Sequence, residues 1–257
     1  MCTVLLLRRP GHAWPALLAA NRDEMLDRPW SSPARHWPER PEVVAGRDLL
    51  AGGTWLGVNN HGLVACILNR AQSLGPAPNK RSRGEIVLDA LDHADAAAAA
   101  QALAALEPTA YRTFNLVLID NRDGFWLRNT GPEENGIEVR RLPDGFSMLA
   151  ETDLNDPTSP RIARYLPRFE AAPVPDPESG DWRSWERLMA DTGHDPAEGP
   201  AGALSIFFEN AVDGRDFGTC SSSLLALPAA DRPNRRPIWL FSAARPGTVP
   251  YRPISLA

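Results

Sequence analysis

Apolar runs separated by turn residues alternate along this chain with stretches of helical periodicity. Residues 1–7 are mostly apolar and lead into a turn around Gly11, which predicts a buried strand that starts at the N-terminus. Residues 14–20 predict the returning strand of a hairpin. With the turn centred near Gly11, this hairpin is expected to place Cys2 roughly opposite Ala20.

Later segments predict hairpins gathered around a few amphipathic helices. Residues 28–42 are proline-rich without periodicity and predict a loop, either a functional rim or a passive crossover. Residues 137–142 and 146–150 predict strands that pair around Pro143-Asp144-Gly145. The pattern favours an α+β fold with mostly antiparallel sheets, in a single domain over residues 1–257. Further strands are predicted at 43–45, 54–58, 63–69, 114–120, 125–129, 204–208, 217–227 and 238–241, and helices at 82–91, 96–106, 161–171 and 182–190.

The composition is that of a folded globular protein without a nucleic-acid footprint. Hydrophobic residues make up 43% and charged residues 23% of the chain, and the net charge of −5 argues against the basic surface that nucleic acids need. No run reaches the ~18 apolar residues of a membrane span. The three cysteines show no disulfide or zinc spacing, so we expect a cytoplasmic protein. Nearly all basic residues are arginine, which with abundant alanine and proline suggests a GC-rich bacterial genome.

Cys2 is the first candidate for chemistry, because a small second residue usually allows the initiator methionine to be removed. Cys2 would then carry a free α-amine with a pKa of about 7.7–8.0, which can act as base for the thiol of the same residue. The thiol starts from a pKa of about 8.5, and the guanidinium of Arg22 would favour its thiolate. The alternative is that Cys2 is only a small residue of a core strand.

The polar tetrapeptide Asn21-Arg22-Asp23-Glu24 follows the returning strand. Since each strand residue advances about 3.3 Å, the tetrapeptide should lie only a few steps beyond the N-terminus. It would bring an amide, a guanidinium and two carboxylates beside the Cys2 thiol. Asp23 or Glu24 could then orient the ammonium that forms on Cys2, and Arg22 could support the thiolate or bind substrate.

Six short motifs occur in order over most of the chain, namely Met1-Cys2-Thr3, Asn21-Arg22-Asp23-Glu24, Gly46-Arg47-Asp48, Gly53-Thr54-Trp55-Leu56-Gly57, Ser82-Arg83-Gly84 and Phe217-Gly218-Thr219. Together they resemble the NRDE family, also called the transport and Golgi organisation 2 family. The resemblance implies the fold of N-terminal-nucleophile hydrolases, a four-layer αββα sandwich, nearest the penicillin V acylase and bile-salt hydrolase branch. Some members of the family are associated with haem trafficking.

Asn69 is a polar residue that closes the apolar strand predicted at 63–69. It is either a strand-end residue that enters a turn or an amide held in place as a donor to an oxyanion. The stretch from Asn60 to Asn69 resembles the acylase pattern that supplies the oxyanion-hole asparagine, which implies that role here. Cys66 in the same strand is expected to be a small buried residue.

The tetrapeptide departs from the acylase pattern, which has Arg-x-x-Asp in this place. A straight overlay puts Asn21 and Glu24 on the arginine and the aspartate. A shift by one residue would use Arg22 and Asp23 instead. Both alignments are compatible with the sequence, so the roles within the tetrapeptide stay open.

Two further departures concern the activity more than the fold. Glu151 stands where family members often have asparagine, and a carboxylate cannot stabilise an oxyanion. Cys220 stands where members commonly have arginine. Both residues weaken the likeness to the acylases, so we expect weak or narrow amidase activity.

We expect a cysteine-type amidohydrolase that acts on a non-peptide C–N bond of a small molecule, without a metal or cofactor. One alternative is a non-catalytic small-molecule carrier on the same fold, with haem as a candidate ligand. Another is a scaffold or trafficking factor without a small ligand. The isolated His36, His61 and His194 give no haem signature. The residues expected to form the catalytic site are Cys2, Asn21, Arg22, Asp23, Glu24 and Asn69.

Overall fold

A computed structural model describes residues 2–131, 136–232 and 235–256. Within these residues the chain forms 14 β-strands and four α-helices. The strands are β1 (Thr3–Arg8), β2 (Ala16–Met25), β3 (Trp30–Ala34), β4 (Val43–Asp48), β5 (Leu56–Asn59), β6 (Val64–Asn69), β7 (Phe114–Ile119), β8 (Gly124–Asn129), β9 (Glu138–Arg141), β10 (Gly145–Leu149), β11 (Phe207–Val212), β12 (Arg215–Leu227), β13 (Ile238–Ser242) and β14 (Arg252–Pro253), and the helices are α1 (Arg83–Leu91), α2 (Ala96–Leu103), α3 (Pro160–Ala171) and α4 (Arg183–Met189).

Two compact units make up the chain, and most of the second is inserted into the first. The first unit comprises residues 1–28, 143–228 and 232–254. The second comprises residues 29–142 together with the short segments 229–231 and 255–257. Each unit contains one antiparallel sheet of seven strands. The single domain expected for the whole chain stays a prediction.

In the first unit, the sheet has the order β10-β1-β2-β12-β13-β14, and β11 pairs with β12. Helix α3 packs against it through Ile162, Tyr165 and Phe169, which recur at intervals of three and four residues as an amphipathic helix requires. These side chains share a hydrophobic cluster with Leu5 and Leu17 of the sheet. Burial of each aliphatic or phenyl side chain contributes roughly 1.5–3 kcal/mol to stability.

The N-terminal hairpin forms as predicted, but its register differs from the expected one. Strands β1 and β2 pair so that Val4, not Cys2, lies opposite Ala20. The expected register is therefore wrong by two residues. The loop is centred on His12, one residue later than Gly11, and moving the centre of a hairpin by one residue shifts its pairing by two.

In the second unit, the sheet has the order β3-β4-β5-β6-β7-β8-β9. Helices α1 and α2 pack on it, and the residue before each helix caps it. Ser82 Oγ accepts a hydrogen bond from Gly84 N at 3.3 Å, and Asp95 Oδ1 accepts one from Ala98 N at 2.7 Å. Each cap satisfies an amide that the helix itself leaves without a partner.

Several segments differ from their predictions. The loop expected at 28–42 contains the edge strand β3. Pro33 is tolerated there because an edge strand need not donate backbone N–H hydrogen bonds on both of its sides. The strands expected to pair around residues 143–145 belong to different sheets, since β9 pairs with β8 and β10 pairs with β1. Pro143 has no amide hydrogen and Gly145 has a φ of +85°, so the chain leaves one sheet here. The strand expected at 204–208 begins only at Phe207.

Close packing explains two of the sequence motifs in the second unit. A Cβ atom on Gly46 would lie 2.3 Å from the ring of Trp55, and one on Gly53 would lie 2.5 Å from the carbonyl carbon of Gly84. Asp48 Oδ1 accepts hydrogen bonds from two backbone amides of the turn that follows, at 3.0 and 2.9 Å. These motif residues shape the second unit through packing and turn formation.

Candidate active site

Strand β2 includes the whole tetrapeptide, because it continues to Met25, well beyond the end predicted from the sequence. Side chains alternate along a strand, so Asn21 and Asp23 lie on one face of the sheet and Arg22 and Glu24 on the other. The tetrapeptide thus supplies functional groups to both faces. Its position on a rigid central strand fixes each of them.

Cys2 immediately precedes β1 and is partly exposed. Its Sγ lies 3.6 Å from the backbone carbonyl oxygen of Asp23, within the range of a weak thiol hydrogen bond. The next residue, Thr3, pairs with Asn21 in the hairpin. The structure therefore brings the thiol beside the tetrapeptide, as the sequence predicts.

Asp23 is the most deeply buried charged group of the tetrapeptide. Its Oδ2 lies 3.0 Å from Nη1 of Arg161, and the two side chains are 0% and 1% exposed. Its Oδ1 accepts a hydrogen bond of 2.6 Å from Thr219 Oγ1. Charge-assisted bonds of this kind are about twice as strong as neutral ones. The carboxylate is held on both oxygens.

Asn21 links the strand to two neighbouring segments. Its Nδ2 donates to the carbonyl oxygens of Met189 and Leu204, both at 2.9 Å. A side-chain amide has two N–H donors, and both are used here. This geometry favours a role for Asn21 in fixing the end of α4, whereas an oxyanion would need one of these donors.

Arg22 contacts the second cysteine of the site. Its Nη1 donates to Cys220 Sγ at 3.3 Å, and Cys220 Sγ in turn lies 3.4 Å from the carbonyl oxygen of Arg22. Cys220 lies between Thr219 and Ser221, where the pairing of β12 with β2 shifts by a bulge. Bulges redirect side chains and are frequent beside active sites.

Glu24 is the most exposed carboxylate of the tetrapeptide. Its Oε1 accepts a hydrogen bond from Met25 N at 2.9 Å. Its Oε2 lies 3.7 Å from Arg28 Nε and 4.0 Å from Arg22 Nη2. Glu24 is therefore surrounded by guanidinium groups, and its charge offsets theirs.

Both thiols near Arg22 have a raised pKa. Burial raises the pKa of the Cys2 thiol, and the negative charge of Asp23 raises it further. Arg22 lowers this pKa, as expected, but burial and Asp23 outweigh it. Burial also raises the pKa of Cys220 to about 12. The net shift of the Cys2 pKa is upward although Arg22 acts in the expected direction, so a nucleophile here needs a base.

Asn69 lies at the end of β6 in the second unit, half-buried and paired with Phe114. Its strand-end position is as predicted, and its role toward an oxyanion stays a prediction. Cys66 in the same strand is buried with 4% of its surface exposed, as expected for a small core residue.

Glu151 follows the end of β10 and contacts the start of α3. Its Oε1 accepts a hydrogen bond from Ser159 Oγ at 3.1 Å. Its Oε2 is buried and has no hydrogen-bond partner among the residues that the structure describes. A carboxylate thus occupies the position where the resemblance leads one to expect an amide.

The sequence did not single out the partners of Asp23. Arg161 is the second residue of a helix that begins with Pro160, and an arginine there looks like an ordinary surface residue. Thr219 belongs to a motif, so its importance was signalled, although its partner was not. The long sequence separation of Arg161 from Asp23 hides their contact from any local pattern.

In the described ranges, no group of three or more His, Cys, Asp or Glu side chains is arranged to hold a metal ion. Cys2, Cys66 and Cys220 form no disulfide. No α-helix within these ranges combines the length and the apolar character needed to cross a membrane.

This architecture is the fold of the N-terminal-nucleophile hydrolases. A variant of the conjugated bile acid hydrolase from Clostridium perfringens matches 99% of this chain and 92% of its own, with a TM-score of 0.57 at 13% identity. The penicillin V acylase from Agrobacterium tumefaciens matches 97% of this chain and 84% of its own, with a TM-score of 0.51 at 14% identity. At such identities the likeness concerns the fold alone. The predicted fold class is confirmed.

The chain belongs to the transport and Golgi organisation 2 family, whose model matches residues 1–228. The mouse homologue is 40% identical over 79 residues, which cover 30% of this chain and 28% of that protein. The bovine homologue is 35% identical over 114 residues, which cover 42% of this chain and 40% of that protein. The matched segments thus span less than half of these relatives. The resemblance inferred from the motifs is confirmed.

Proposed function

We propose that this chain is an N-terminal-cysteine amidohydrolase that cleaves a non-peptide C–N bond of a small molecule. The observation that supports it most directly is the position of Cys2, whose Sγ lies 3.6 Å from the carbonyl oxygen of Asp23. The buried carboxylate of the same residue is held on both oxygens, by Arg161 and by Thr219. A thiol at the N-terminus beside a fixed carboxylate has the parts that self-activated catalysis needs.

The proposed reaction begins after removal of Met1, which exposes the α-amine of Cys2. The amine takes the thiol proton, and the thiolate attacks the carbonyl carbon of the amide. When the tetrahedral intermediate collapses, the C–N bond breaks, the nitrogen takes the proton from the α-ammonium, and a thioester remains on Cys2. Water, deprotonated by the same amine, then cleaves the thioester, releases the acid and restores the thiol.

The surroundings of Cys2 suggest roles for the other residues. The raised thiol pKa makes a base necessary, and an α-amine with a pKa of about 7.7–8.0 suits neutral pH. We assign the orientation of the α-ammonium to Asp23 rather than Glu24, because the charge of Asp23 acts on Cys2. Arg22 would bind substrate or support the thiolate, and Asn69 would donate to the oxyanion.

A panel of acyl amides tests the proposal, with wild type compared with Cys2→Ala and with Cys66→Ala as the matched control. We expect weak or narrow hydrolysis, with slow turnover of bile-salt or penicillin V type amides at most. Cys2→Ala should abolish turnover and keep substrate binding, whereas Cys66→Ala should retain turnover. Hydrolysis that survives in Cys2→Ala would contradict the proposed nucleophile.

A second candidate is a non-catalytic carrier of a small molecule on the same fold. The raised pKa of the Cys2 thiol favours it, because the neutral thiol is a poor nucleophile. Haem is the ligand to test, by absorbance titration of wild type and Cys2→Ala. Saturable haem binding at low micromolar concentration, with no Cys2-dependent hydrolysis across the amide panel, would favour the carrier function over the enzyme function.

The proposed site of action is the cytoplasm. The three cysteines form no disulfide, which suits a reducing compartment. Cell fractionation followed by immunoblotting tests this location. Recovery of the protein in an exported or membrane fraction would contradict it.

A further inference from the structure

A buried arginine joins helix α3 to the strand ends around Cys2. Nη1 of Arg161 donates to Thr3 Oγ1 at 2.7 Å and lies 3.0 Å from Asp23 Oδ2. Nη2 donates to the carbonyl oxygen of Ala201 at 3.0 Å. One guanidinium thus connects the residue after Cys2, the tetrapeptide on β2 and the turn at residues 200–202.

Thr219 completes this arrangement from β12. Its hydroxyl donates to Asp23 Oδ1 at 2.6 Å and accepts a hydrogen bond from Ile206 N at 3.0 Å. Arg161 and Thr219 therefore hold the two oxygens of the same carboxylate. The plane of that carboxylate is fixed relative to three strands and a helix.

Stability alone does not account for an ion pair at this position. The penalty for removing two charges from water is large, and apolar residues of similar volume often stabilise a protein as well or better. The same face of the sheet already packs an apolar cluster that includes Leu5, Leu17 and Tyr165. A charged pair at the end of this cluster, directly beside the candidate nucleophile, points to a role in the site.

We propose that Arg161 is a positioning residue for the nucleophile: it balances the charge of Asp23 and holds Thr3, so that Cys2 keeps its place and its acidity. This inference rests on the proposed function, in which Cys2 attacks the substrate. Arg161 acts by its positive charge and through its hydrogen bonds to Asp23 and Thr3, and it touches neither substrate nor the reacting atoms. No short motif in the sequence contains it.

Three charges act on the Cys2 thiol. Asp23 raises the pKa of the thiol, whereas the N-terminal ammonium and Arg22 lower it. Loss of Arg161 would leave the carboxylate of Asp23 without its counter-ion, and its full negative charge would then oppose formation of the thiolate. The pH dependence of Cys2 alkylation therefore reports on Arg161.

The test is a double-mutant cycle on the full chain, with the alkylation rate of Cys2 measured by peptide mapping from neutral to alkaline pH. Arg161→Gln should move the profile to higher pH by about one pKa unit, which slows alkylation at neutral pH about tenfold. Asp23→Asn should move it to lower pH, because the carboxylate is gone and Arg161 is no longer balanced. The double variant should move it to lower pH by less than Asp23→Asn does.

Two comparisons test Arg161 independently: wild type with Arg161→Gln, and Asp23→Asn with the double variant. If Arg161→Gln fails to fold, the second comparison still decides the question. Arg161→Lys keeps the charge and should return the profile toward that of wild type. Arg8→Gln is the matched control, since Arg8 pairs with Asp144 at 3.1 Å at the far end of β1. It should leave the Cys2 profile unchanged.

Several outcomes would overturn the inference. These are an unmoved profile in folded Arg161→Gln, a shift to lower pH in that variant, and equal shifts in Asp23→Asn and in the double variant. A change in unfolding free energy without a change in the Cys2 profile would show a purely structural ion pair. Alkylation needs no turnover, so its result is independent of the amide panel. If the expected shifts occurred without any hydrolysis, the proposed enzyme activity would be rejected, whereas the influence of Arg161 on Cys2 would stand.

Discussion

Cys2, which precedes β1, and Cys220 of β12 lie 3.6 and 3.4 Å from the carbonyl oxygens of two consecutive residues of β2, and β1 and β12 flank β2 on its two sides. Two strand spacings separate their backbones by about 9.5 Å. A disulfide needs Cα atoms within roughly 4.4–6.8 Å. We expect that mild oxidation of the folded protein forms no Cys2–Cys220 bond. Non-reducing peptide mapping tests this, and a cross-link formed without unfolding would contradict the register.

The reactivity of the three thiols should differ. Cys2 is partly exposed, whereas Cys66 and Cys220 are buried, so brief iodoacetamide treatment at neutral pH should modify Cys2 first. Because its pKa is raised, the rate at Cys2 should keep rising beyond the ordinary thiol pKa of about 8.5. Peptide mapping across pH measures both effects. Equal labelling of all three thiols would contradict the difference in burial.

The mature chain should begin at Cys2. The second residue is small, and the proposed reaction needs its α-amine. Intact mass of the purified protein decides this directly. A chain that retains Met1 completely would have no amine on Cys2 and would exclude self-activation.

Asn69→Ala should lower kcat by roughly 10²–10³ if Asn69 donates to the oxyanion, as expected for loss of one such donor. The fold should be retained, because Asn69 is a half-buried residue at a strand end. Asn60→Ala, on the exposed turn before the same strand, is the control and should keep its kcat. If kcat were unchanged in Asn69→Ala, the donor would have to be sought elsewhere.

Thr219→Val should destabilise the protein measurably. It removes the hydroxyl that donates to the buried carboxylate of Asp23, and a hydrogen bond to a charged group contributes about 1.5–3 kcal/mol. Ser242→Ala removes a buried hydroxyl of β13 that contacts only backbone carbonyls in the described bonds, for which about 0.5–1.5 kcal/mol is expected. Urea unfolding of both variants compares the two losses. Equal losses would argue against a charge-assisted bond at Thr219.

Local patterns predicted most of the elements, because their signals lie within a few residues. The helical periodicity located the helices, and the apolar runs located the strands. The contact of Cys2 with the tetrapeptide followed from hairpin geometry alone. An error of one residue in the turn centre nevertheless displaced the pairing by two.

Long-range relations could not be predicted in the same way. Pro143-Asp144-Gly145 has the composition of a hairpin turn, but it connects strands of two different sheets, and nothing in its sequence distinguishes the two cases. Arg161 gave no signal because its partner is Asp23, far away along the chain. The net effect of burial on the Cys2 thiol also depends on the assembled fold.

The insertion of residues 29–142 between β2 and β10 has a consequence for the order of events on the ribosome. The second unit is synthesised almost completely before β12, which must pair with β2 to complete the surroundings of Cys2. At about 5–20 residues per second, the interval between residues 142 and 227 lasts roughly 4–17 s. The N-terminus therefore leaves the ribosome several seconds before β12, the strand that pairs with β2, has been synthesised. We expect methionine removal to act on this nascent chain, and mass analysis of ribosome-bound intermediates that end before residue 215 would test it.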